Sequence, residues 1–361
     1  MKPFFPVGPE LAWDVIVIGA GPAGASAALP LARAGRRVLI LERRRKVGLP
    51  VQCAEYIPYA LVGEVGAPAT AVAQRVDSMR TFIEGKLAAE NHWPGVVLHR
   101  SLFDQHLAAQ AVSAGAALWT SCRVQAVDGC AVSVRREGSV ARLTARVIVG
   151  ADGPVSISAR SAGCPHEDFV YGLQVEAPLR TRLEHTEVHF RPEFLGGYAW
   201  VFPKGTSANV GVGVTGSAAR SLPQLLQAFL TDLRAGGVVM QGPTRRETGG
   251  MIPVGGPPAR TTFEHLILAG DAAGQTDPIT GSGIPAAVHC GQLAGQAICR
   301  ALAANDPGRI REYEEEWRED LSRSLGRAFE RRRTQCSEWN QGSFEQLIRR
   351  TWIAFPEYYS A

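Results

Sequence analysis

The chain has 361 residues, 45% of them hydrophobic, and a net charge of +4. That length sustains one large or two medium domains with real cores. So small a basic excess, scattered in short runs flanked by acids (RRRK at 43–46, RRR at 331–333), marks solvated surface and argues against a nucleic-acid partner.

Seven cysteines, at 53, 122, 130, 164, 290, 299 and 336, include no CxxC pair. The pattern argues against a disulfide framework and against structural zinc, and it fits a reducing, cytoplasmic compartment. The first residues, MKPFFPVGPELAWD, show no signal-peptide pattern. Residues 15–32 and 278–299 are free of Asp, Glu, Lys and Arg over span-like lengths, but both are rich in Gly and broken by Pro. They read as turns plus buried helices, so no transmembrane segment is expected and peripheral membrane contact stays open.

The first strong element is DVIVIGAGPAGASAALPLARAGRRVLILE, residues 14–42. Residues 15–18 form a β-branched run suited to a strand buried on both faces. Gly19, Gly21 and Gly24 come next at GxGxxG spacing with Pro22 and Ala23 between them, then a helical pattern, then a second buried strand at 38–41 closed by Glu42. Gly19 permits the tight turn, Gly21 leaves room for a pyrophosphate, and Gly24 lets helix and strand pack closely. The helix N-terminus offers its N–H groups to phosphate, and Glu42 can accept from ribose hydroxyls. This is a complete βαβ dinucleotide fingerprint; Arg43 stands next to its terminal acid. Pro30 predicts a kink in the helix.

The loop VQCAEYIP (51–58) contributes Cys53, Glu55 and Tyr56, and VVLHRSLFDQHLAAQA places Arg100 at a helix start. Residues 147–149 and 263–269 are two more buried strands, one running into Gly150-Ala-Asp152-Gly153, the other into Gly270-Asp271. The second continues as GQTDPITGSG, with Pro278, Gly281, Ser282 and Gly283 before a helix. Between them, residues 166–260 become short, alternating and turn-rich, the mark of an antiparallel sheet. Tyr198, Trp200 and Phe202 share one face by period two. His185 and His189, with Glu187 between them, are too few for a metal site, and none is expected. Residues 310–350 are charge-dense and helical, with acids and bases at i, i+4 and one stripe of Trp317, Leu321, Leu325 and Phe329.

One Rossmann fingerprint with two further strand-end carboxylates resembles the flavoprotein hydroxylase and reductase superfamily. The resemblance implies an α/β fold: a glutathione-reductase-type FAD-binding Rossmann domain, an inserted antiparallel-sheet substrate domain and a C-terminal helical segment. Its expected bounds are 1–75, 95–165 and 261–305 for FAD, 76–94 and 166–260 for substrate, and 306–361 for the helical segment. It implies FAD as cofactor, with Asp271 at the ribityl chain or neighbouring phosphate, and Asp152 at the pyrophosphate with Arg160 as partner. Val124 would offer a backbone amide to adenine, and Arg100 would open a helix near the flavin, its rival role being a surface arginine. The helix after Gly283 would point its positive end at the flavin. With no second GxGxxG, NAD(P)H would dock only transiently as electron donor.

Tyr-x-Trp-x-x-Pro-Lys at 198–204, with Gly211-x-Gly213 after it, is similar to the geranylgeranyl reductase pattern, and VQCAEYIP falls where that family carries a cysteine loop near the flavin. Here Cys-Ala-Glu-Tyr replaces the Cys-Gly-Glu-Gly common there. Cys53 would tune flavin reactivity or be an inert buried thiol; Glu55 and Tyr56 would be proton donors, pocket polar groups or surface. Tyr198, Trp200 and Phe202 would line the substrate pocket or simply pack.

Three functions fit these features. The altered loop and charged C-terminal segment point first to a monooxygenase acting on an aromatic substrate, a small molecule or a tryptophan of a partner protein in tryptophylquinone maturation. The second is reduction of isoprenoid C=C bonds. The third is an FAD-bound assembly protein.

Overall fold

The computed structural model describes residues 13–360, so most of the amino-terminal segment lies outside the described residues. Two sheets organise it. The first has seven strands, and its core is parallel in the order Ala117–Trp119, Val38–Leu41, Trp13–Ile18, Ser139–Gly150, Leu266–Leu268. The strands are nearly continuous apolar runs because both faces are covered, one by helices and the other mainly by the antiparallel strands Arg123–Asp128 and Ala131–Arg136. Ser139–Gly150 has two uses. Its second half joins the parallel sheet, while its first half pairs antiparallel with Ala131–Arg136, itself paired with Arg123–Asp128. The helices Pro22–Arg33, Arg100–Ser113 and Ile284–Ala304 pack against one face of this sheet. Pro30 lies within an uninterrupted Pro22–Arg33 helix and does not break it.

The second sheet has eight strands, ordered Arg245–Pro253, Phe169–Pro178, Ser207–Thr215, Tyr198–Lys204, His185–Phe190, Val72–Ile83, Lys86–Leu98, Tyr56–Pro58. Its pairs are antiparallel as expected, except that His185–Phe190 runs parallel to Val72–Ile83. The strands around 76–94 extend beyond those bounds on both sides, and Tyr56–Pro58 forms an edge strand of this sheet. The helix Leu222–Ala235 buries Leu226, Phe229 and Leu233 against one face.

The histidine pair of the sequence has a structural use. Glu187 is buried and accepts from Nε2 of both His185 and His189 at 3.1 Å, and the His189 ring stacks on Phe82 at 4.5 Å. Burial pushes the Glu187 carboxyl up, but the two imidazole donors outweigh it and hold it at about 2, against 4.5 ordinarily. A depressed carboxyl stabilises the fold above its unfolded pKa and loses that contribution as pH falls through its folded one. Glu187→Gln should therefore cost about 2 kcal/mol at pH 7, a deficit shrinking as pH falls below 4.5 toward 2; urea midpoints at the two pH values check it.

The carboxy-terminal helix Glu312–Glu338 is charged in sequence but pinned to the core. Tyr313 donates to Leu268 O at 2.8 Å, Trp317 Nε1 to Thr261 Oγ1 at 2.9 Å, and Glu314 accepts from the Thr261 and Thr262 amides. Trp317 and Leu325 are buried as the stripe predicts, with Leu321 partly so. The segment beyond it departs from expectation: Trp339, Leu347, Ile348, Trp352, Phe355 and Tyr358 are buried in one apolar cluster with Phe190 and Phe202 of the second sheet. The carboxy-terminal segment is therefore an apolar wall of the sheet as well as a polar surface.

Candidate active site

The Gly-rich turn is locked by sterics. Gly19 has φ +102°, and a Cβ there would run into the backbone of Ala151 on the neighbouring strand; a Cβ at Gly24 would strike the Gly19 carbonyl. At Gly21, by contrast, a Cβ would meet nothing within 4 Å. Gly21 is also the N-cap of Pro22–Arg33 and leaves that end with no side-chain cap. An open cradle at an uncapped helix start is what a pyrophosphate requires, so the residues present fit a dinucleotide.

Glu42 is buried at the end of its strand. It accepts from Ala20 N at 2.9 Å and Arg44 N at 2.8 Å, which ties the Gly-rich turn to the next strand end. Its own carbonyl accepts from Cys122 N at 2.8 Å, bringing buried Val124 beside the same corner, while Arg43 is exposed. Glu42→Ala should weaken FAD about tenfold, measured by fluorescence titration of the apoprotein; unchanged affinity would remove Glu42 from the site.

Asp152 makes three contacts within its own loop. It accepts from Ser156 Oγ, Ile157 N and Ser158 N at 2.6, 2.7 and 3.1 Å, capping the short helix Ile157–Ser161, and Arg160 is exposed. Its structural role is to shape the loop.

The Gly270-Asp271 turn is the opposite case. Gly270, φ +67°, leaves space only for Ala23 and Ala287 beside it, so the turn is wedged between the starts of Pro22–Arg33 and Ile284–Ala304. Asp271 Oδ1 accepts from Thr276 Oγ1 at 2.7 Å. Asp277 then folds the loop over Pro278, accepting from the Ile279 and Thr280 amides at 2.9 and 2.8 Å. Gly281, Ser282 and Gly283 lead into Ile284–Ala304, whose N-cap Gly283 carries no side-chain cap. Ser282 is exposed.

The strand Tyr198–Lys204 ties the second sheet to these loops, one contact every second residue. Tyr198 Oη donates to Thr280 O at 2.5 Å, Trp200 Nε1 to Gln174 Oε1 at 3.2 Å, and Gln174 in turn donates to Cys53 O at 2.8 Å. Phe202 packs on Tyr56, ring centroids 5.8 Å apart, and Lys204 Nζ donates to Glu55 at 2.5 Å. Period two puts all four on the inner face. The Trp200 indole lies where Gly211 has no side chain: a Cβ there would overlap the ring.

Of the three catalytic candidates, Glu55 is a buried anchor. Its carboxylate accepts from Arg100 N at 2.8 Å, Asn209 Nδ2 at 2.7 Å and Lys204, and its φ of +74° is left-handed. Tyr56 donates to Trp93 O at 3.2 Å and packs against the apolar cluster that includes Ile279. Cys53 is half-buried, its Sγ accepting from Glu55 N at 3.2 Å. Burial pushes the thiol up, opposed by the guanidinium of Arg100. Arg100 opens its helix beside the Cys53 loop and pairs with Asp104 at 2.6 Å. Asn209, Gln174 and Trp352 carry no sequence signal as site residues, and Lys204 is marked only as the end of the Tyr-x-Trp-x-x-Pro-Lys pattern. The signal for its role is the even spacing from Tyr198.

The family model described as Lycopene cyclase protein matches residues 14–341. Digeranylgeranylglycerophospholipid reductase 1 of Methanopyrus kandleri is 37% identical over 331 residues, 86% of this chain and 87% of its own. The chain belongs to the lycopene cyclase protein family and, by these relatives, to the geranylgeranyl reductase family. A geranylgeranyl bacteriochlorophyll reductase-like protein from Thermoplasma acidophilum superposes on this reductase-family chain with TM-score 0.83 and 27% identity, covering 96% of this chain and 92% of that one. A probable FAD-dependent monooxygenase from Pseudomonas aeruginosa shares the fold alone, at TM-score 0.71 and 18% identity, over 93% and 99% of the two chains. The chain is thus an oxidoreductase on the fold of FAD-dependent enzymes. Aromatic hydroxylation and tryptophylquinone maturation, expected first from the loop and the charged segment, find no support among the reductase relatives, which favour the isoprenoid alternative. None of the described helices is long and apolar enough to cross a membrane.

Proposed function

We propose that this protein is an FAD-dependent reductase that saturates isolated C=C bonds in an isoprenoid chain, with NAD(P)H as a transient electron donor. The observation that carries it is the register of Tyr198–Lys204: Tyr198, Trp200, Phe202 and Lys204 each touch the Cys53 loop, the Thr280 loop or their partners. FAD would be held by Gly19, Gly21, Gly24, Glu42 and Asp271, and when bound there it supplies hydride to one carbon of the double bond.

The protein's own groups supply the rest. Tyr198, Trp200 and Trp352 form an aromatic wall, with Tyr198 and Trp352 centroids 5.3 Å apart, that excludes water and lies along an apolar chain. Cys53 keeps its proton at neutral pH because burial raises its pKa. It delivers that proton from Sγ to the second carbon. The resulting thiolate meets the Arg100 guanidinium and the Glu55 amide, and water reprotonates it.

The test is anaerobic incubation of dithionite-reduced protein with a digeranylgeranylglycerol phospholipid, read by mass spectrometry. Each saturated bond adds two hydrogens; a product that appears only with O2 and gains oxygen would refute the proposal. Cys53→Ala should lower kcat about a hundredfold with FAD affinity unchanged.

A further inference from the structure

Residues 51–55 cross the second sheet at an angle to its strands, and successive strands hold them in turn. Val51 O accepts from Thr248 Oγ1 at 2.8 Å and Gln52 Nε2 donates to Gly249 O at 2.5 Å, both on the edge strand Arg245–Pro253. On the next strand Gln174 Nε2 donates to Cys53 O at 2.8 Å, and on the third Asn209 Nδ2 donates to Ala54 O at 3.1 Å. Glu55 reaches Lys204 on the fourth. The loop is therefore a strap, and the tie at Cys53 comes from Phe169–Pro178.

That tie has a second end. Register sets Thr248, Gln174, Gly211 and Trp200 side by side on four adjacent strands. Gly211 puts no side chain between Gln174 and Trp200; a Cβ there would strike the indole and stand 2.7 Å from Gln174 Cβ. The indole can thus reach Gln174, whose Oε1 accepts from Trp200 Nε1 at 3.2 Å. Gln174 is 6% exposed, so its amide is bound at both ends inside the protein. The pair of bonds requires a side-chain amide of this length. A carboxylate has no N–H for the Cys53 carbonyl, Met serves neither end, and Asn is one methylene short. The opposite amide orientation would satisfy neither partner.

We propose that Gln174 is a positioning residue for proton delivery: it fixes the separation between Cys53 and the Trp200 indole, along which the chain lies. The assignment rests on the reductase reading above, in which Cys53 is the proton donor. Gln174 carries no proton itself and acts through Cys53.

Two substitutions divide the bonds. Gln174→Glu keeps the acceptor for Trp200 and loses the donor for Cys53 O, whereas Gln174→Met loses both. With the flavin-loaded protein and a digeranylgeranylglycerol phospholipid, Gln174→Glu should lower kcat about thirtyfold, with KM and FAD affinity within about threefold of wild type. Gln174→Met should lower kcat as much and raise KM as well, because the indole is freed too. Alkylation of Cys53 by iodoacetamide, read by mass spectrometry of the Cys53 peptide, should run about tenfold faster in both variants. In a Cys53→Ala background either change at Gln174 should lower kcat no further, since nothing is left to position.

Wild-type kcat or unchanged alkylation in both variants overturns the assignment, as does a kcat loss that adds in full to that of Cys53→Ala. If the Glu variant does not fold, Gln174→Met decides on kcat, alkylation and the double variant. A wild type that saturates no bond removes the reductase reading, and alkylation alone then decides whether Gln174 holds the loop. Intact saturation with unchanged alkylation in the variants does the reverse: the reading stands and Gln174 loses its role. A Cys53→Ala protein with wild-type kcat removes Cys53 as donor, and the positioning role of Gln174 with it.

Discussion

Glu55→Ala should lower the melting temperature by about 5 °C, through a loss of about 3–5 kcal/mol. The side chains of Glu55 and Lys204 are 4% and 6% exposed, so removal of the carboxylate strands a buried ammonium. It also strips one of two acceptors from the Asn209 amide, which keeps Ala54 O, and the acceptor from the first amide of Arg100–Ser113. The left-handed φ of +74° at Glu55 has the same origin: the backbone takes a conformation that non-glycine residues avoid, held by three donors converging on one carboxylate. Lys204→Met should cost a similar amount by leaving the carboxylate unpaired. The double variant Glu55→Gln with Lys204→Met should recover part of the loss, because no buried charge is left uncompensated.

Kinetics on the same proteins separates positioning from proton donation. If Glu55 positions the Cys53 loop, the double variant keeps kcat within about tenfold per folded, flavin-loaded enzyme, whereas loss of a general acid costs about 10²–10⁴. Melting curves and kcat measured together decide it. A Glu55→Gln protein with wild-type melting temperature and a hundredfold lower kcat would make Glu55 the proton donor and end the anchor assignment.

The nucleotide half of the fold was legible because its logic is local. Gly19 to Gly24 sit between two apolar runs, and buried parallel strands need no partner information to be recognised. The inner face of Tyr198–Lys204 was legible for the same reason, since period two fixes which residues face together. What period two cannot carry is the partner, so the parallel pairing of His185–Phe190 with Val72–Ile83, a hundred residues away, was silent in the sequence. Asp152 and Asp271 look alike as strand-end carboxylates; the difference lies in the residues just downstream of each. Ser156 and the amides of 157 and 158 occupy Asp152, and no sequence rule distinguishes that from a cofactor contact. The carboxy-terminal segment misled because its charges dominate residues 310–338, whereas Trp352, Phe355 and Tyr358 come after the helix at irregular spacing. The lean toward hydroxylation failed for a further reason. The cradle for a flavin is the same whether a double bond or an aromatic ring is the substrate, so loop composition at 53–56 could not choose between them.

Asp271→Ala should yield protein that purifies colourless, with FAD affinity lowered about a hundredfold. Among the described residues its carboxylate has one side-chain partner, the Thr276 hydroxyl at 2.7 Å, so the fold loses little when it goes. Its setting favours an acceptor for ligand hydroxyls. The turn is wedged between the starts of Pro22–Arg33 and Ile284–Ala304, neither of which has a side-chain cap, and Oδ1 lies 3.0 Å from where a Gly283 Cβ would stand. Two positive helix ends favour whatever negative charge the cofactor brings. Thr276→Val is the control, because it removes the protein partner and leaves the acceptor. That variant should stay yellow, with affinity within about threefold of wild type, whereas Asp271→Ala should not regain colour until excess FAD is added. Calorimetric titration of the two apoproteins measures the difference. Equal affinities would mean that Asp271 only braces the loop through Thr276, and the middle of the cofactor would then have to be held by backbone amides alone.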